Sequence, residues 1–155
     1  MGRLPVDCQE SVCVALPEHG RLAGIDYGTV RVGIAISDIR QTISAPHELM
    51  HRSTVERESA HFRQLVENEQ LCGFVVGLPL HISGDESEKS KEAREYGGWL
   101  EETTGLPVAF HDERYTSSEA DELMLAAGLT SKKRKEKRDK LAAHLILASF
   151  LRQKS

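Results

Sequence analysis

The sequence predicts an α/β fold, a mixed sheet with helices on both faces. Three observations carry this. An apolar hairpin opens the regular part of the chain at residues 21–37. Two later apolar runs, at 72–78 and 107–111, alternate with charged segments of helical period. The chain then closes on a helix with an apolar stripe, from Asp139 to Leu151. A hairpin followed by β-α-β units requires antiparallel and parallel pairing in one sheet, with the crossover helices lying on its faces.

Taken in order, residues 1–19 lack a sustained period and contain Pro5 and Pro17, and are expected to be a loosely held extension to a domain spanning 20–155. RLAGIDYG (21–28) and RVGIAIS (31–37) are apolar, β-capable and separated by a short turn with Gly28, hence a β-hairpin. Residues 41–51 add a short third strand broken by Pro46. Glu56 to Gln70 is charged, with Ala60, Phe62, Leu65 and Val66 in an amphipathic pattern. CGFVVGL (72–78) is a continuous apolar run, the pattern of a strand buried on both faces.

A loop from Pro79 to Glu86 leads to a helix ending near Thr104, capped by Gly105. Gly97 and Gly98 weaken that helix by about 1 kcal/mol each relative to Ala. PVAFH (107–111) is a short strand. Thr116 and Glu119 have capping-box spacing and open a helix ending near Gly128. The element order is therefore β-β-β-α-β-α-β-α-α.

Length and composition exclude several classes. At 155 residues the chain suits one domain. With 39% hydrophobic and 28% charged residues it has an ordinary globular balance. No apolar run approaches the roughly 20 residues that span a bilayer, and the start does not read as a secretory signal. Cys8, Cys13 and Cys72 fit no zinc template and are expected to be reduced thiols of a cytoplasmic protein. Residues 131–140, SKKRKEKRDK, hold seven basic and two acidic side chains, a local +5 within an overall −4, so the other residues carry −9. A basic segment on an acidic body can meet phosphate. A solvated, mobile loop is the ordinary alternative. Position favours phosphate: the run ends at a carboxylate that stands out for other reasons.

Three carboxylates sit where apolar packing would not choose them. Asp26 lies inside an apolar strand, on the face shared by Gly24 and Gly28, which leave room for a ligand or another backbone. An ionised group there is costly unless paired or metal-bound. Glu113 follows PVAFH, at a strand's C-terminal end, where open α/β sheets place their sites. Asp139 opens the last helix on the stripe of Ala142, Ala143, Ile146 and Phe150. Each has a plain structural alternative: Asp26 bonding its own turn, Glu113 pairing with Arg114, Asp139 meeting the helix dipole. Their convergence is the stronger reading. Three acids in a small space stay ionised only if cations neutralise them, and all-oxygen ligands suit Mg²⁺ or Mn²⁺. Two such ions about 4 Å apart stabilise the attacking and leaving oxygens of phosphoryl displacement.

Four blocks, in order, resemble the YqgF family, also called RuvX, of pre-16S rRNA nucleases once described as Holliday junction resolvases. They are GIDYGTVRVGIAISD (24–38), VVGLPLHISGDES (75–87), HDERYTSSEA (111–120) and KRDKLAAHLILASFL (137–151). The family hairpin DxGxxRxGxAxSD is matched by Asp26, Gly28, Arg31, Gly33, Ala35, Ser37 and Asp38. With their connections the blocks cover about residues 20–152. The resemblance implies an RNase H-like fold with a five-stranded sheet, three strands parallel. It implies that Asp26, Glu113 and Asp139 bind metal and catalyse; the constellation itself suggests Asp26 on both ions, with Glu113 and Asp139 each holding one. It places Arg31, His81 and Arg114 near the site, where they could touch phosphate or form structural pairs. His81 stands where the family usually has Asn. Lys132, Lys133, Arg134, Lys137 and Arg138 are expected to bind substrate phosphate. The expected partner is nucleic acid, structured RNA or branched DNA, and the protein is expected to be a monomer or weak dimer.

Two other functions were weighed. An actin-like ATPase or sugar kinase also begins with a strand and Asp-x-Gly-Thr, here Asp26 to Thr29, but needs a second such hairpin, which the sequence lacks. A non-catalytic nucleic-acid-binding module would not need all three carboxylates.

Overall fold

The computed structural model describes residues 16–79, 88–112 and 131–154; for 131–140 and 154 it describes backbone only. The strands are β1 (Arg21–Asp26), β2 (Arg31–Ser37), β3 (Ser44–His51), β4 (Leu71–Leu78) and β5 (Val108–Asp112). The helices are α1 (Val55–Glu69), α2 (Glu88–Thr104) and α3 (Ser131–Lys154). The expected loop at 79–86 lies almost wholly outside the described residues, and the expected 116–128 helix entirely so.

One sheet runs in the order β3-β2-β1-β4-β5. β1, β2 and β3 form an antiparallel meander. β4 and β5 add on in parallel with β1, as the mixed-sheet expectation requires. Pro46 has no N–H to give a ladder, and β3 tolerates it because β3 is an edge strand. The register slips beside it: Ile34 pairs with Glu48, but Ala35 pairs with Pro46.

Alternation along the strands sorts two cores. Ala23, Ile25, Val32, Ile34, Phe74, Val76 and Val108 face α1 and α2, against Phe62, Leu65, Tyr96 and Leu100. Leu22, Ala35 and Val75 face α3, against Ala143, Ile146, Leu147 and Leu151. The chain just before β1 is tied to the same body: Leu16 packs on this second core, and Gln41 Nε2 donates to Pro17 O at 2.8 Å.

Local chemistry explains the boundaries. Thr54 caps α1, its hydroxyl accepting from Arg57 N at 3.2 Å. Gly105 ends α2 at φ +75°, its N–H donating to Glu101 O at 2.8 Å. The glycine pair inside α2 has unequal roles. A Cβ on Gly97 would meet the Phe110 ring at 2.7 Å, so Gly97 lets the helix close on β5, whereas Gly98 has nothing within 4 Å.

The last helix differs from expectation. It begins at Ser131, eight residues before Asp139. Lys, Arg and Glu are good helix formers, so the basic run extends the helix instead of breaking it. Position 139 is thus about two turns inside, and the helix dipole, which fades within the first turn, does not explain an acid there.

Candidate active site

Asp26 ends β1, half-buried. Alternation puts it on the α3 side, with Leu22 and Gly24. Its cross-strand partner on β2 is Gly33. On β4, one residue beyond the Ile25–Val76 pair, stands Gly77. No side chain of either neighbouring strand therefore flanks the carboxylate at its own level, which fits an ion bound by oxygen donors.

The room expected beside Gly24 and Gly28 is filled by backbone of the same chain. A Cβ on Gly28 would lie 2.4 Å from Arg31 O, so only glycine allows the β1–β2 turn to close. A Cβ on Gly24 would lie 2.7 Å from Leu147 Cβ and 2.9 Å from Ala143 O. The α3 backbone thus rests directly on β1. From that contact, Asp26 is two residues away along the strand, and position 139 one turn away along the helix. Ala143, Ile146, Leu147 and Leu151 form the buried stripe to which position 139 belongs by period.

Two hydrogen bonds pin α3 across the sheet. His144 Nδ1 bonds Ser44 Oγ on β3 at 3.0 Å. His111 Nε2 bonds Ser149 Oγ at 2.9 Å. His111 sits on β5 opposite Gly77, two residues before Glu113. The helix carrying Asp139 is therefore tied to both sheet edges, including the strand that leads into Glu113. Burial pushes both imidazoles below their ordinary pKa; for His111, Asp112 opposes this and Arg152 reinforces it. Sequence reasoning missed this pair of ties. The available signal was polar residues on apolar elements, His111 on the strand and His144 on the helix.

Other predicted residues divide as follows. Arg31 opens β2, half-buried opposite His51. Ser37 and Asp38, from the hairpin motif, serve the fold. Ser37 Oγ accepts from Leu22 N and donates to Asp38 O, each at 2.9 Å. Asp38 accepts from Thr42 N, Thr42 Oγ1 and Ile43 N at 2.7, 2.8 and 3.0 Å. The Ile43 amide leads these donors in holding the Asp38 carboxyl at a pKa of about 2. His81, Glu113 and Arg114 lie outside the described residues. Lys132, Lys133, Arg134, Lys137, Arg138 and Asp139 lie on the α3 backbone, their side chains outside the description. Among the described residues, no three His, Cys, Asp or Glu converge on a metal position. The same residues include no helix long and apolar enough to cross a membrane.

Sequence reasoning also passed over Arg52, Glu58 and Tyr96, which lie behind the β1–β2 turn. Glu58 is 3% exposed and falls on the α1 stripe with Phe62 and Leu65. Burial pushes its carboxyl up, but the Ser53 amide, Arg52 and Tyr96 outweigh that and leave it below the ordinary value.

A meander extended by two parallel strands, with a carboxylate ending the first strand and a long helix resting on it, defines a protein of the RNase H-like class. Residues 20–153 match the family model of RuvX, described as a Holliday junction resolvase. A relative from Rhodopirellula baltica that bears the name of a pre-16S rRNA nuclease is 45% identical, covering 87% of this chain and 78% of its own length. Another of that name, from Koribacter versatilis, is 38% identical over 88% of this chain and 89% of its own. The T. thermophilus RuvC structure in complex with a Holliday junction superposes with a TM-score of 0.54 at 17% identity, covering 88% of this chain and 98% of that one, a likeness of fold. The chain belongs to the RuvX family and is a nuclease.

Proposed function

We propose that the protein hydrolyses phosphodiester bonds in structured RNA, in maturing the 5′ end of pre-16S rRNA, using two Mg²⁺ or Mn²⁺ ions held by Asp26, Glu113 and Asp139. The observation that carries the reading is the setting of Asp26. It faces α3 between two glycine-bearing strands, two residues from the point where the Asp139-bearing helix touches β1. When bound, such ions neutralise phosphoryl oxygens and activate water. The chain's part is to fix the acids on rigid elements and to bring phosphate to them. Arg31, His81 and Arg114 are proposed to contact substrate near the site. Lys132, Lys133, Arg134, Lys137 and Arg138 are proposed to contact it along α3. Relatives named for pre-16S rRNA support the RNA substrate and, with it, a cytoplasmic location.

The family description favours one second reading, cleavage of four-way DNA junctions. The deciding experiment offers labelled ribosomal precursor and junction DNA side by side, with and without Mn²⁺. Cleavage of the precursor that requires Mn²⁺ and falls about 10²–10³-fold in Asp26→Asn is expected, the scale on which losing one electrostatic stabiliser acts. Full cleavage by Asp26→Asn would sink the assignment, and preference for the junction would select the second reading. Replacing Lys132, Lys133, Arg134, Lys137 and Arg138 together should weaken binding and flatten its salt dependence.

A further inference from the structure

The turn that follows Asp26 is held from behind by one side chain. Residues 27–30 connect β1 to β2. Arg52, just past the end of β3, grips that turn twice: its backbone N–H donates to Val30 O at 3.0 Å, and its Nη1 donates to Gly28 O at 3.0 Å. The guanidinium lies 5.2 Å from the Tyr27 ring centroid and 5.1 Å from that of Tyr96. Its Nε donates to Glu58 Oε2 at 2.9 Å. Glu58 is itself fully engaged, Oε2 accepting from Ser53 N at 2.8 Å and Oε1 from Tyr96 Oη at 3.1 Å.

We propose that Arg52 is a positioning residue, set by Glu58 and Tyr96, that fixes the β1–β2 turn and through it the metal-binding geometry of Asp26. This rests on the reading of Asp26 as a metal ligand. A buried ion pair is a poor device for stability, since apolar residues of similar volume often serve as well or better. It is a good device for fixing geometry when every donor and acceptor is satisfied. Here the network's bond to the active-site turn is the one from Nη1 to Gly28 O. A Cβ at Gly28 would collide with Arg31 O, so the residue whose carbonyl Arg52 holds has to be glycine in this turn. The planar fork matters: Lys carries the charge but cannot bond Glu58 and Gly28 in fixed directions while lying flat against two rings.

The test uses the full-length chain and three variants, R52K, the double variant R52M/E58Q, and D26N. R21Q/E69Q, which removes a part-buried ion pair at the other end of β1, is the control. Mn²⁺ affinity is read by the paramagnetic signal of free ion, and turn order by hydrogen exchange over residues 27–31. Cleavage is measured as kcat and KM across Mn²⁺ concentration. Outer-shell partners of metal ligands typically matter 10–100-fold. R52M/E58Q is therefore expected to bind Mn²⁺ at least tenfold more weakly and to exchange faster at 27–31. Its kcat should recover in part at high Mn²⁺, with KM for substrate shifted less than threefold. R52K should move the same way by at least threefold, and it decides the matter if the double variant does not fold. The control should move none of these. A folded variant with wild-type exchange at 27–31 and wild-type Mn²⁺ affinity overturns the proposal. Wild-type Mn²⁺ affinity in D26N overturns the metal assignment and with it the link from Arg52 to chemistry. In that case the exchange arm still shows whether Arg52 orders the turn.

Discussion

The two faces of the sheet are built from different materials. Towards α1 and α2 they are large and aromatic: the Phe62 ring meets those of Phe74, Tyr96 and Trp99 edge-on, centroids 6.1, 6.2 and 6.1 Å apart. Towards α3 the core is aliphatic, Leu22 and Val75 against Ile146, Leu147 and Leu151, and where the helix meets β1 it thins to Gly24, Gly33 and Ala35 on the strands and Ala143 on the helix. The first face buries area, which is what stabilises a fold. The second gives up side-chain volume so that a helix backbone can rest on a strand backbone. The aromatic core thus lies on one side of the sheet, and the close helix–strand approach beside the proposed site lies on the other.

Substitutions on each side should separate the two. The largest loss of stability is expected for Phe62→Ala, about 3–5 kcal/mol as for buried aromatics in general, read by urea unfolding. Mn²⁺ affinity of the folded fraction should be unchanged, and a tenfold loss would blur the division. Gly24→Val inverts the pattern. Its side chain would press on Ala143 O and Leu147 Cβ, with a stability loss of about 1–3 kcal/mol, typical of overpacking. Cleavage should fall about 100-fold, the scale of a 1 Å misplacement of a reacting group. Near-wild-type activity in that variant would mean that the seat of α3 on β1 does not set the site.

Next comes pH. His111 and His144 both lie under or on α3 and both protonate less readily than in the unfolded chain, whose His value is 6.5. The unfolded state therefore takes up more protons as pH falls below that value. Stability from keeping these imidazoles neutral is complete above it and drains away as pH falls towards their lower folded values. Hydrogen exchange in α3 should accelerate relative to α1 between pH 7.5 and 5, and equal change in both helices would count against the two ties. Ser149→Ala, which removes the bond to His111, should cost about 1 kcal/mol. Smallest of all, R21Q/E69Q should change stability by less than about 1 kcal/mol, because solvent still reaches both side chains and screens the pair.

Much of this was legible in advance, and the reasons are specific. The strand faces follow from period 2, and of the helix stripe read as Ala142, Ala143, Ile146 and Phe150 the structure fully buries Ala143 and Ile146, leaves Ala142 and Phe150 half-buried, and adds Leu147. An acid on an apolar stripe drew attention to Asp139, and the same rule applied to α1 would have found Glu58. The rule detects a carboxylate that needs a partner; it does not distinguish a metal ion from Arg52, which lies six residues earlier in the link between β3 and α1. The early start of α3 was missed because a dense run of like charge reads as solvated coil, although its residues individually favour helix. His111 and His144 stood out as polar residues on apolar elements, but their partners were not legible, since the two bonds join residues 38 and 100 positions apart.

The alternation in β1 has an all-or-none corollary. Ile25 belongs to the aromatic side and Asp26 to the helix side. Deleting or inserting a single residue within 22–25 would trade their addresses, sending a charge into hydrocarbon and an isoleucine towards α3. A change of two residues would leave both side chains on the faces they now occupy.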